Sequence, residues 1–267
     1  LLDVIRRMAS LAVAVGDFRL VRRMAELGGE TDPFLGYCLA NAVLRSGDWT
    51  AGFRLYENRW AVHGARRVQP DWRGEADPSG TLLVYDEQGM GDTLQFLRYL
   101  PALRRRHRGR LILRVLEPLV PVVAGLADQV VSRQQPSSDL HFPAGTSSVY
   151  CTPLMSAPFL LDTLGEAAGV ASPPYYDPPA GLVERASAVL GPRRGERPRV
   201  GLAWQGLSHS IAFTDVEPLL AVDKVDWISL QYGARDTDPR LLDAMADGDL
   251  GLAAGLIRQL DMVVTCD

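Results

Sequence analysis

The residues best suited to chemistry lie in the stretch Asp86-Glu-Gln-Gly-Met-Gly-Asp92. A carboxylate there can serve as a general base, and Gly89 and Gly91 allow another group close to the main chain. Both glycines are expected to exploit the positive-φ freedom that only glycine has cheaply. Asp92 admits two readings. As an N-cap it would take the N–H of Gln95, three residues on, in the spacing of a capping box. As a general base it would stand above the carboxyl end of a strand, where open α/β sheets bind ligands. The acids Asp86, Glu87 and Asp92 lie close in sequence, but spacing alone does not make a metal site, and none is expected.

The flanking residues say what positions this turn. Leu82, Leu83, Val84 and Tyr85 form an almost wholly apolar run, the pattern of a strand buried on both faces. Beyond Asp92 the period changes: Leu94, Leu97 and Leu100 are three apart, with Phe96, Leu100 and Leu103 at four and seven, a helix face. Strand, glycine turn and helix open a βαβ unit, whose helix N-terminus offers N–H groups to a polar ligand. Gly-Met-Gly lacks the third glycine of a dinucleotide fingerprint, and no Gly-Lys-Ser/Thr follows it, so the turn is not a nucleotide motif by itself.

The length of 267 residues suits two domains, or one and a half with a helical extension, and 47% apolar and 22% charged residues suit a globular chain. A net charge of −4 gives no electrostatic case for nucleic acid or an anionic membrane, and no apolar stretch is long enough to span a bilayer. Lys224 is the sole lysine, so an anionic ligand must meet arginine, main-chain N–H groups or a helix dipole. Cys38, Cys151 and Cys266 are odd in number and far apart, which predicts neither disulfides nor zinc and makes a reducing cytoplasm the default. The chain opens on Leu1 without a visible signal peptide, and its native start is expected upstream.

Residues 1–65 contain an echo: Gly16-Asp-Phe and Gly47-Asp-Trp are 31 apart, close to the ~34 of a tetratricopeptide repeat. Each glycine should end one helix and each aspartate cap the next, with Leu39, Ala42, Val43, Phe53, Leu55 and Tyr56 supplying packing faces. Such helices either hold a protein partner on a concave surface or act as a packing collar. Trp60 and Trp72 flank a connector and are expected to seal a seam between domains.

Residues 66–180 alternate strand and helix. Strands are expected at Leu111–Leu116, Val130–Ser132 and the end of Asp139–Phe142, and a helix at Leu119–Leu126; His141 could reach a cleft rim. Arg104-Arg-Arg-His-Arg108 reads as a solvated helix end. Pro173 to Pro179 is a stiff crossover. In residues 181–267, a helix at Leu182–Leu190 precedes strands at Arg199–Trp204 and Asp226–Gln231, a helix at Gly251–Gln259 and a strand from Met262.

Three segments carry a resemblance: Trp72-Arg-Gly-Glu, then Glu87-Gln-Gly-Met-Gly-Asp-Thr-Leu-Gln-Phe-Leu-Arg-Tyr-Leu-Pro101, then Val200-Gly-Leu-Ala-Trp-Gln-Gly206. Together they resemble bacterial proteins that join tetratricopeptide repeats to a domain similar to glycosyltransferase family 9, the heptosyltransferases. The resemblance implies an α/β fold of GT-B type, with two Rossmann-like domains, the second truncated, after a tetratricopeptide-like helical segment. It implies Asp92 as catalytic base, with Gln88, Gly89, Gly91 and Gln95 around the substrate. On the donor side it implies Trp204, Gly206, Ser210, Gln231 and Asp267, the last just before a Thr-x-x-Ala-His-Leu turn that takes donor phosphates in the family. Cys151-Thr-Pro-Leu-Met-Ser resembles the acceptor side, where Ser156 either meets substrate or caps a helix. His209 and Tyr232 depart from the family's arginine and lysine. The implied activity is inverting, metal-independent transfer from a nucleotide-sugar, a co-substrate with no other cofactor, to a protein or glycan acceptor. A non-catalytic interaction module on a degenerate scaffold is the alternative.

Overall fold

The computed structural model describes residues 1–29, 31–64, 68–136, 140–142, 144–163, 174–206, 210–232, 238–245 and 248–266. Asp139, His209 and Asp267 lie outside them. The chain forms two compact units, residues 1–114 with 136–175 and residues 115–135 with 176–267.

The first unit begins with helices α1 (Leu2–Val15), α2 (Phe18–Gly28), α3 (Pro33–Arg45), α4 (Trp49–Tyr56) and α5 (Arg59–His63). Both Gly-Asp-aromatic echoes end one helix and start the next. Gly16 and Gly47 have φ of 74° and 87°, and Asp17 and Asp48 accept the N–H of Leu20 and Ala51 at 3.0 Å each. Ala42, Val43 and Phe53 are buried as expected, while Leu39, Leu55 and Tyr56 are half-buried. Ile5, Ala9, Val21, Met24 and Leu35 build the core between α1, α2 and α3.

Strands β1 (Thr81–Tyr85), β2 (Arg110–Val115), β3 (Gln129–Ser132) and β4 (Val149–Pro153) form one sheet in the order β3-β2-β1-β4. Strand β1 runs parallel to both neighbours, Leu83 facing Ile112 on one side and Cys151 on the other. All five β1 residues are buried, as an apolar run between two layers requires. The helix after the turn is not continuous: α6 (Met90–Phe96) passes through a 3-10 turn at Leu97–Tyr99 into α7 (Leu100–His107). Pro101, without an N–H, cannot continue the α ladder across that point.

Four expectations fail here. Leu119–Leu126 is a 3-10 turn and further turns, because Pro118 and Pro121 remove donors and Gly125 takes φ of 86°. Leu140–Phe142 carries no strand, and His141 is exposed; the strand beside β1 is β4, which the pattern did not mark. The basic cluster at the end of α7 is not wholly solvated. His107 is fully buried between the rings of Trp72 and Tyr150, and Arg106 Nε donates to Gly74 O at 2.9 Å. Trp72 accordingly packs within the first unit, its indole donating to Glu75 O at 2.9 Å, rather than at a seam between domains.

The second unit contains α9 (Ala180–Leu190), β5 (Arg199–Ala203), α10 (Phe213–Val216), β6 (Asp226–Ser229), β7 (Leu241–Asp243), α11 (Leu250–Ile257) and β8 (Met262–Thr265), α8 (Ala157–Thr163) belonging to the first. Its sheet is parallel, in the order β7-β6-β5-β8. The two sheets thus repeat one order, in which the first strand lies between the second and the last. That is the Rossmann-like arrangement, with a switch point beside β1 and β4 in one sheet and beside β5 and β8 in the other. Helix α11 lies against α9, and a side chain at Gly255 would run into the carbonyl of Leu182.

Replacing Gly255 by valine should therefore push α11 off α9 and destabilise the second unit by about 1–3 kcal/mol. Urea unfolding followed by circular dichroism checks this; an unchanged midpoint would show that α9 yields freely.

Candidate active site

Strand β1 delivers Asp86, Glu87 and Gln88 to its carboxyl end, and β4 delivers Leu154, Met155 and Ser156 beside them. This is the switch point of the first sheet, the place where such sheets leave a crevice. The two strand ends are tied by a side chain from the helical segment. Arg59, 2% exposed, sends Nη2 to Glu87 Oε1 at 2.7 Å and Nε to Glu87 Oε2 at 3.2 Å, a two-pronged ion pair. Its Nη1 reaches Glu57 Oε1 at 2.6 Å, and Nη2 also donates to Ser156 Oγ at 2.8 Å. The Ser156 hydroxyl in turn donates a hydrogen bond to Glu57 Oε1 at 2.8 Å. The guanidinium lies over the rings of Tyr56 and Trp60, at 4.7 and 4.8 Å. Burial alone would lower the Arg59 pKa, but the bond and charge of Glu87 and the charge of Glu57 outweigh it and hold it above its ordinary value.

Ser156 thus neither caps a helix nor faces open space. It is buried and spent on the clamp.

Gln88 Nε2 donates to the Tyr56 hydroxyl at 2.7 Å. Burial, with the neighbouring Tyr37, pushes the Tyr56 phenol up to about 12 despite that bond. Tyr37, Arg59, Trp60, His63, Glu87 and Gln88 line a cavity of about 370 Å³. The ring of Tyr37 meets Tyr56 at 5.7 Å and the edge of His63 at 5.4 Å.

The turn itself corrects the local reading. Gly89 is the N-cap of α6, with φ −76° and ψ 171°, and neither Gly89 nor Gly91 uses positive φ. Asp92 is the third helical residue. Its Oδ2 accepts the N–H of Gly89 at 3.2 Å and not that of Gln95. A side chain at Gly89 would crowd that carboxylate, whereas one at Gly91 would meet nothing within 4 Å. Asp92 is half-exposed, and among the described residues its Oδ1 accepts no hydrogen bond. Its charge reaches the cavity: burial raises the Tyr37 phenol, Arg59 opposes that, and the Asp92 carboxylate adds to the rise. The other two acids are engaged. Asp86 is buried beside the Thr93 hydroxyl at 3.4 Å, and Glu87 is held by Arg59. Gln95 is exposed and bonds to none of the clamp residues.

In the second unit, Gln231 Oε1 accepts the N–H groups of Trp204 and Gln205 at 3.1 and 2.9 Å, and Nε2 donates to Gln205 O at 3.2 Å. The Trp204 ring is buried against Phe213 at 5.1 Å. Both side chains therefore shape the turn after β5 from inside. Gly206 and Ser210 are exposed on that turn, with Ser210 Oγ donating to Gly206 O at 3.3 Å. Among the described residues no group of three or more His, Cys, Asp or Glu is placed to hold a metal. No described helix is long and apolar enough to cross a membrane.

Sequence reading did not find Arg59, Glu57, Tyr37 or His63. The one local sign was a charged pair, Glu57 and Arg59, at the end of an otherwise amphipathic helix beside Tyr56 and Trp60.

The chain matches no family model and no curated protein. Among solved structures it is similar to the crystal structure of the glycosyl transferase family 9 protein from Veillonella parvula DSM 2008. The identity is 10%, the TM-score 0.49, and the match covers 73% of this chain and 77% of that one.

Removing Arg59 would take the two-pronged partner from Glu87 and one partner from Glu57, carboxylates largely shielded from water. Arg59→Met should cost about 3–5 kcal/mol, the range for breaking a buried pair on one side. Arg59→Lys should recover only part of it, because an ammonium cannot serve Glu87 with two parallel bonds. Chemical denaturation of the three proteins measures both.

Proposed function

We propose that the protein is a glycosyltransferase in which Asp92 is the general base. The observation that carries this is the state of its carboxylate, with one oxygen pinned by Gly89 N–H and the other unengaged, half-exposed at the switch point beside a lined cavity. In this reading the free oxygen of Asp92 takes the proton of an acceptor hydroxyl. The acceptor oxygen attacks the anomeric carbon of a nucleotide-sugar, the bond from that carbon to the diphosphate breaks, and the nucleoside diphosphate leaves with its electron pair. Attack opposite the leaving group inverts the anomeric centre. The N-terminal N–H groups of α6 lie at the same turn and suit the developing charge.

The donor would be a nucleotide-sugar engaged through Gly206 and Ser210 on the turn that Gln231 braces, with no metal and no other cofactor required. The acceptor would be a protein or a glycan, the helical segment would be of tetratricopeptide type, and the setting a bacterial cytoplasm. One observation favours the second reading, a non-catalytic interaction module: Trp204 and Gln231 are consumed within the second unit and cannot themselves reach a donor.

Titrating UDP, GDP, ADP and CMP into the protein separates the two readings. The transferase reading expects one nucleotide to bind. It also expects Asp92→Asn to keep that affinity while transfer from the matching nucleotide-sugar falls about 100-fold or more, as for a lost general base. A chelator should leave the rate unchanged. Absence of nucleotide binding would sink the transferase and leave the interaction module.

A further inference from the structure

The cavity beside Asp92 has walls from two sources. Glu87 and Gln88 come from the end of β1, but Tyr37 comes from α3, and Arg59, Trp60 and His63 come from α5. Four of the six lining residues are therefore supplied by the helical segment. The volume of about 370 Å³ is at the small end of the roughly 300–1,000 Å³ of ligand sites. It suits one ring-sized group better than an extended chain.

The lining is two flat aromatic rings, an imidazole, an amide and a clamp already satisfied from within. The Tyr37 hydroxyl has no hydrogen-bond partner among the described residues, and Gln88 keeps its carbonyl oxygen after its bond to Tyr56. A pyranose matches this inventory, because its C–H faces are apolar and its rim of hydroxyls needs both donors and acceptors. The charges disfavour an anionic ring. Glu87 lines the cavity, and the Asp92 carboxylate adds negative charge at its Tyr37 wall.

We propose that this cavity is a saccharide site for an uncharged pyranose, and that Tyr37, Trp60 and His63 make the helical segment its specificity wall. The proposal rests on the transferase reading only for its role as acceptor site; the binding itself does not need it.

Saturation-transfer NMR on the whole protein tests it. The probes are the methyl glycosides of glucose, galactose and N-acetylglucosamine, N-acetylglucosamine 6-phosphate, and a serine-containing hexapeptide blocked at both ends. At least one neutral glycoside should receive saturation at its ring protons, at least fivefold more than the phosphate or the peptide. His63→Trp, at an exposed position that touches neither Asp92 nor the clamp, should fill the cavity and abolish that transfer. Tyr37→Phe, which keeps the ring, should weaken it only partly. Four results would overturn the proposal: no transfer to any neutral glycoside, equal transfer to the 6-phosphate, transfer to the peptide alone, or a signal indifferent to His63→Trp. Nucleotide titration of the same sample keeps the two readings distinct. Nucleotide binding without saccharide binding refutes this site and spares the transferase. Saccharide binding without nucleotide binding does the reverse.

Discussion

The first unit depends on one guanidinium. Arg59 lies beneath the turn that carries Asp92, and its five donors reach Glu87, Glu57, Ser156 and the main chain of Tyr56. Glu87 closes β1 and Ser156 follows β4, so the clamp fixes the two strand ends that border the crevice of the sheet. Isolated, either acid would be costly in so dry a place. Together with the rings of Tyr56 and Trp60 they form a satisfied network, and a satisfied network specifies one geometry where an apolar contact would tolerate several.

That geometry explains why the acids of the turn differ. Asp86, Glu87 and Asp92 have the same chemistry in sequence but different surroundings. Burial beside Thr93 makes Asp86 part of the core, and the clamp claims Glu87. Asp92 stays half in water, oriented through one oxygen. The capping bond to Gly89 and a role as base do not compete, since they use different lone pairs.

What was legible in the sequence was local. The run Leu82–Tyr85 announced a doubly buried strand, and Gly16-Asp and Gly47-Asp announced helix ends, because each signal sits within a few residues of its effect. Leu119–Leu126 misled because apolar spacing was weighed above two prolines. His107 misled because a histidine among arginines looks solvated until Trp72 and Tyr150, far away in sequence, enclose it. The Arg59 clamp left only the Glu57–Arg59 pair as a local trace for the same reason: its other side-chain partners lie 28 and 97 residues away. Turn chemistry also went partly astray. The φ freedom of glycine goes unused at Gly89 and Gly91, and Gly89 serves by leaving space for a carboxylate.

The origin of the clamp also bears on modularity. Glu57 and Arg59 belong to the helices, while Glu87 and Ser156 belong to the α/β layer, so the Arg59–Glu87 ion pair and the Arg59–Ser156 hydrogen bond straddle a boundary that sequence alone draws at residue 65. Cutting there would not release an adaptor and a catalytic body, each intact. It would leave Arg59 with Glu57 alone in one piece and take the two-pronged partner of Glu87 from the other. The helices and the first sheet should therefore melt as one cooperative transition, and swapping in helical repeats from another chain would fail unless Arg59 and Glu57 travelled with the graft.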